Sequence, residues 1–267
     1  MKLRVLVDNH TYIDEYYLGE PGLSYYIEDN DARILFDTGY SDVFIHNGKK
    51  MGIDFATVNT VVFSHGHNDH TRGFQFLDKE SMENLHIYAH EDCFNHKVDG
   101  EEDIGAPFRR QEISRLGHLH FCCGPTKISE HITFLGEIPQ INDFELRKVI
   151  GQQRKNRHWE DDLVLDDSAL VFHNNEGLFI ITSCSHGGIC NIIEYAKRVC
   201  HEDRILGIIG GFHLFEVDEQ VNKTVEYFKD NQVKDIYPCH CVSFQVKAKI
   251  NESIKINEVG VGLTIDI

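Results

Sequence analysis

Basic residues are scarce in this 267-residue chain: 26 lysines and arginines stand against 43 acidic residues, a formal net charge of −17. Such a balance lacks the basic stripe with which a general nucleic-acid binder neutralises phosphates, and it is equally poor for an anionic membrane surface. Neither partner is expected. No apolar stretch approaches the ~18 residues that cross a bilayer. The opening MKLRVLVDNH reaches Asp8 too soon for the apolar region of a signal peptide, so a cytoplasmic location is expected. There are only five prolines, no Gly/Ser tract, no low-complexity block and no solenoid period. With no linker to divide it, the chain reads as a single domain over 1–267. CxxC is also absent. Cys93, Cys122, Cys123, Cys184, Cys190, Cys200, Cys239 and Cys241 form no such pair, which argues against a four-cysteine zinc ribbon. In the cytosol such thiols are reduced, available for packing, reactivity or metal.

What the chain does have is a 41% hydrophobic fraction and 17 histidines. The first excludes wholesale disorder. Short apolar runs alternate with amphipathic segments, the pattern of an α/β protein. Strands are predicted at Leu3–Val7, Val58–Phe63 and His86–Ala89, and Leu23–Ile27 with Ala32–Phe36 flank turn residues as a hairpin. A helix is predicted over Asp42–Met51. The second half repeats the theme. Ala169–His173 and Leu178–Thr182 form a hairpin; helices follow at Asn191–Cys200, Val221–Lys229 and Phe244–Ile250. Strands are expected at Ile205–Ile209, Asp235–Tyr237 and Val261–Ile267. Hairpin, helix and strand recur in each half, as in a pseudo-duplicated sandwich. The stretch around 99–163 reads as an irregular insertion, of a length more often a functional lid than an idle loop.

The strongest chemical signal is Ser64-His65-Gly66-His67-Asn68-Asp69-His70, directly after the buried run Val58–Phe63. Imidazole and carboxylate are ligands for zinc or iron. In an extended turn His65 and His67 point the same way and reach one ion, while Asp69 and His70 fall on the next stretch, beside a second. Asp37, Cys184, His186, His213 and His240 also follow apolar runs, and strand ends on one sheet edge are where α/β proteins bind ligands. Cys122-Cys123 is expected to be structural. Cys239 and Cys241, flanking His240, are expected to point away from it if that segment is extended.

HxHxDH, together with Phe36-Asp37-Thr38-Gly39, resembles the metallo-β-lactamase superfamily. The resemblance spans nearly the whole chain and implies a four-layer αββα sandwich. It is sharper for the branch similar to 7,8-dihydropterin-6-ylmethyl-4-(β-D-ribofuranosyl)aminobenzene 5′-phosphate synthase. That branch is carried by Gly136-Glu137-Ile138-Pro139, Ser183-Cys184-Ser185-His186-Gly187-Gly188-Ile189, Gly210-Gly211-Phe212-His213-Leu214 and Tyr237-Pro238-Cys239-His240-Cys241. The resemblance implies a dinuclear site with His65 and His67 on one metal and Asp69 and His70 on the other. His186 and His240 are the best equivalents of the remaining histidines. Cys184 stands where a strand-end aspartate is usual; Asp166 or Asp167 are alternative carboxylates. Asp37 is implied to orient the metal loop through hydrogen bonds.

Two divalent cations are therefore expected, zinc first, with iron or manganese as alternatives. Asp69 and His213 are the candidate catalytic groups. An anionic small-molecule substrate needs cationic help, for which Arg72, Arg109 and Arg110 are candidates, with Trp159 able to stack on a flat ring. The leading expectation is an enzyme on a small phosphorylated or diphosphate substrate, either a diphosphate-displacing transferase or a hydrolase of phosphoesterase or lactonase type. An iron-containing redox protein is the reading from a different class.

Overall fold

In the computed structural model, which describes residues 1–78 and 85–267, the chain divides into two units. Met1–Cys123, Val149–Asp166 and Gly260–Ile267 make the first; Gly124–Lys148 and Asp167–Val259 make the second. Each is an α/β arrangement with its own sheet and its own apolar core.

The first unit is built on a seven-stranded sheet. Thr264–Asp266, Lys2–Val7, Ser24–Asp29 and Ala32–Phe36 run antiparallel to one another. From Ala32–Phe36 onward the sheet is parallel, through Thr60–Val62, His86–Ala89 and His118–Phe121. The predicted first hairpin forms in register, Tyr25 opposite Phe36 and Asp29 opposite Ala32, with Asn30 left-handed at its turn. Helix Val43–Lys50 packs on this sheet, where buried Asn47 is satisfied by the carbonyls of Leu6 and Leu18 at 2.8 Å each. Leu35, Val61, Phe63, Phe74 and Ile87 meet in the core, driven together by burial of apolar surface.

The expectation of an irregular insertion at 99–163 is corrected. Gln152–Lys155 pairs with His158–Asp161 on one side and with His96–Asp99 on the other, and Glu102–Asp103 completes a four-stranded sheet. Asn156 and Arg157 both have positive φ, the two-residue turn that matches strand twist. The hairpin escaped prediction because it has no apolar alternation: its buried face is made of Gln153 and the neighbouring Lys97, and every residue of His158–Asp161 is exposed. Elsewhere in the same range His118–Phe121 joins the first unit's large sheet and Ile132–Phe134 the second unit's.

The second unit carries a six-stranded sheet. Gly177–Ile181, Ile205–Gly210 and Asp235–Pro238 are parallel; Leu170–Asn174 and Ile132–Phe134 continue it antiparallel. Helices Ile189–Cys200, Glu219–Asp230 and Phe244–Asn251 bury their apolar faces in this unit's core. Asp218 and Ser243 cap the second and third through side-chain oxygens on the amides of Val221 and Val246. The first is capped from a distance: the buried carboxylate of Glu145 accepts from the amides of Cys190 and Asn191 at 3.0 and 2.9 Å. No helix among the described residues is long and apolar enough to cross a membrane.

Candidate metal centre

Parallel pairing brings carboxyl ends to one edge, and in the first unit that edge holds the histidine motif. Asp37 follows Ala32–Phe36, and Ser64 to His70 follow Thr60–Val62. The motif turns into a four-residue helix, Asn68–Thr71, with His67 as its N-cap residue, so Asp69 and His70 lie on helical backbone. Asp37 organises the group. Its Oδ1 accepts from the Ser64 amide at 2.8 Å, and its Oδ2 from the Ser64 hydroxyl at 2.7 Å and from His70 Nδ1 at 3.0 Å. Because that hydroxyl donates to Asp37, it accepts from His65 Nδ1 (2.9 Å), which leaves Nε2 as the lone-pair atom of His65. His65 Nε2 lies 3.0 Å from His67 Nδ1, and His70 Nε2 lies 3.2 Å from Asp69 Oδ2. Burial, then the nearby Lys97 charge, lowers His67 to a pKa of about 4, so the ring is neutral as a metal ligand must be. Burial pushes His70 down too, but the Asp69 charge and hydrogen bonds to Asp37 and Asp69 outweigh it and raise the ring to about 10, so a metal ion at His70 would have to displace a proton.

Gly66 sits where the loop has no room for a side chain: a Cβ there would lie 2.0 Å from the Cys93 carbonyl oxygen. The Gly66 amide donates to Asp166 Oδ2 at 2.7 Å. Asp166 is in turn paired at 2.8 Å with the ammonium of Lys97, which also reaches Asp162 at 2.7 Å, all three side chains being buried. Burial alone would raise the Asp166 carboxyl, yet Lys97 holds it below its ordinary range. An ion triad thus grips the backbone of the histidine loop.

In the second unit the ends of three adjacent parallel strands supply Cys184 and His186, His213, and His240 with Cys241. Ligand atoms of Cys184, His240 and Cys241 all lie within 4.8 Å of one another. The rings of His186 and His213 are 4.3 Å apart, and Asp167 Oδ2 accepts from the Gly187 amide at 2.8 Å. The His213 amide donates to Cys241 Sγ at 3.3 Å. Gly211 makes this possible, since a Cβ there would meet that sulfur at 2.4 Å. Asp37, Ser185, His213 and His240 all carry left-handed backbones, with φ between +49° and +58°.

The residue types fit a divalent d-block ion: three imidazoles and a carboxylate in one group, two sulfurs and an imidazole in the other. A family model described as the metallo-beta-lactamase superfamily matches residues 17–199. The chain belongs to that superfamily. It shares the superfamily's fold, as its likeness to a solved structure shows: Tm1679, described as a metal-dependent hydrolase of the beta-lactamase superfamily, is 30% identical with a TM-score of 0.85, covering 100% of this chain and 99% of that one. Two proteins of Methanocaldococcus jannaschii are similar along their length. The uncharacterized protein MJ0448 is 32% identical, over 94% of each chain. 7,8-Dihydropterin-6-methyl-4-(beta-D-ribofuranosyl)-aminobenzene-5'-phosphate synthase is 29% identical, over 96% of this chain and 92% of its own.

Within this metallo-β-lactamase chain, sequence reasoning missed three features. The expectation that Cys241 points away from His240 is overturned, because the left-handed backbone at His240 breaks the period-two alternation on which it rested. Asp166 serves the Lys97 triad instead of standing at a metal position, and Lys97 and Asp162 carried no local signal at all. His90, buried after His86–Ala89 with its Nδ1 accepting from the Asp92 amide, sits at the same sheet edge as the histidine motif. Of the cationic candidates, Arg72 stacks on the Tyr40 ring at 4.2 Å, whereas Arg109 and Arg110 line a separate cavity. The three bonds to Asp37 carry a prediction. Asp37→Asn should weaken metal binding about 10- to 100-fold, measured by competition with a chromophoric chelator, because the amide cannot accept at both oxygens.

Proposed function

We propose that this protein is a metal-dependent enzyme acting on a small phosphorylated or diphosphate substrate, with the chemistry of the dihydropterin-linked synthase to which it is similar. The observation that carries the reading is the interlocked group of His65, His67, His70, Asp69 and Asp37, buried except for Asp69. Two divalent cations are proposed, zinc foremost, with His65, His67, Asp69, His70, His186 and His240 as ligands and Cys184 or Asp167 completing the set. Cys241 is a further sulfur ligand on the same grounds as Cys184. Two such ions supply Lewis acidity toward a phosphoryl or diphosphate group.

The chain's own residues do the rest. Asp69, the one member of its group open to solvent, accepts a proton at its carboxylate from the attacking amine or water. His213, its ring against His186, supplies a proton on the leaving side. Asp37 keeps His65 and His70 oriented and does not itself meet substrate. The decisive experiment is diphosphate release from a 6-hydroxymethyl-dihydropterin diphosphate, with and without a ribofuranosyl-aminobenzene phosphate. Release only with both, giving a pterin–arylamine product, supports the synthase reading. Release without the arylamine replaces it with hydrolysis, and no release with either overturns the substrate class.

A further inference from the structure

Away from the histidine motif, the first unit holds a cavity of about 410 Å³ lined by Arg109, Arg110, Arg154 and Arg157 together with His96. No acidic residue lines it among the described residues, in a chain with 43 of them. Its four arginines are exposed, and none is ion-paired with a carboxylate among the described residues. The carboxylates close by bond to other groups, the lining His96 among them, and to none of the four guanidiniums. Asp92 is held by Lys155 at 2.6 Å, Glu112 accepts from the Arg109 backbone amide at 2.8 Å, and Asp103 is bonded to His96 at 3.1 Å. The Arg110 guanidinium is seated over the Phe121 ring at 4.0 Å. Strand register puts Trp159, Arg154 and His96 on one face of the small sheet, and the Trp159 ring lies 5.2 Å from that of His96, 45% exposed.

Like charges gathered without a directly paired carboxylate repel, and an anion of matching shape relieves them. Guanidinium forks match phosphoryl oxygens two at a time. A single phosphate monoester carries about −2 at most and answers only half of four guanidiniums. We propose that this cavity binds the diphosphate group of a small molecule whose flat ring stacks on Trp159. None of its lining residues is a proposed metal ligand, so the inference stands apart from the reaction assigned to the metal centre.

Trp159 is the only tryptophan in the chain, and its ring stands beside the lining His96, so its fluorescence reports the rim of this cavity. The test titrates metal-stripped full-length protein with a nucleoside diphosphate and, separately, with inorganic diphosphate, the latter followed by calorimetry. Saturable quenching by the nucleoside diphosphate is expected, with Arg154→Ala and Arg157→Ala each weakening it about 10- to 100-fold and circular dichroism unchanged. Inorganic diphosphate should bind about tenfold more weakly, for want of the ring. No saturation at millimolar ligand, or equal affinity in the Arg154→Ala/Arg157→Ala double variant, overturns the site. Equal affinity for the two ligands overturns the role of Trp159. Loss of binding in His67→Ala would move the anion to the metal ligands and overturn the proposal, while leaving the metal reading intact.

Discussion

Lys97→Met is expected to destabilise the fold by about 3–5 kcal/mol at neutral pH, read as a lower urea midpoint. The methionine fills most of the lysine's volume, so the loss is electrostatic. Two carboxylates, Asp162 and Asp166, are left buried without their shared ammonium. In the wild type Lys97 holds Asp166 below its ordinary pKa, so the stability it contributes is present above the carboxylate range and fades as pH falls through it. In the variant that support is gone and both carboxyls titrate upward, so the charged forms oppose folding at neutral pH. The gap between variant and wild type should therefore be widest near pH 7 and shrink toward pH 4. A loss below about 1 kcal/mol, or one that does not narrow in acid, would show that the triad does not act as a charge unit. Because Asp166 also holds the Gly66 amide, metal affinity should fall together with stability.

His67→Ala should leave a folded protein that holds at most one equivalent of metal by elemental analysis. Turnover should fall about a thousandfold or more, since metal assistance is worth several kcal/mol and each 1.36 kcal/mol is tenfold in rate. The ring is neutral in the metal-free chain, so its removal takes no net charge from the interior. Loss of metal is thereby separated from loss of fold, which circular dichroism follows independently. Full metal content with full activity would remove His67 from the ligand set.

Much of this was legible in the sequence where the signal is local. Both hairpins showed through turn residues between apolar runs, and the histidine motif showed because its ligand types stand within six consecutive residues just after one strand. What stayed hidden depends on long-range pairing or on backbone conformation. Lys97 lies 65 and 69 positions from its two carboxylates, a separation that leaves no period to read. The hairpin at 152–161 buries polar residues on one face and nothing on the other, so alternation could not mark it. Cys241 reached the sulfur cluster only because His240 is left-handed, a conformation that histidine adopts without advertising it.

Those left-handed backbones at Asp37, Ser185, His213 and His240 have a further consequence for how the protein changes over time. β-Branched side chains are poorly tolerated at such φ values, so valine, isoleucine and threonine carry a backbone penalty at these positions whatever chemistry the site performs, although the chain does hold Val164 at φ +49°. Asparagine and glycine remain open, as residues that enter this region at low cost. Drift at the site is channelled toward losing a ligand outright or substituting another small polar group. Replacement by a β-branched apolar residue is opposed by the main chain itself.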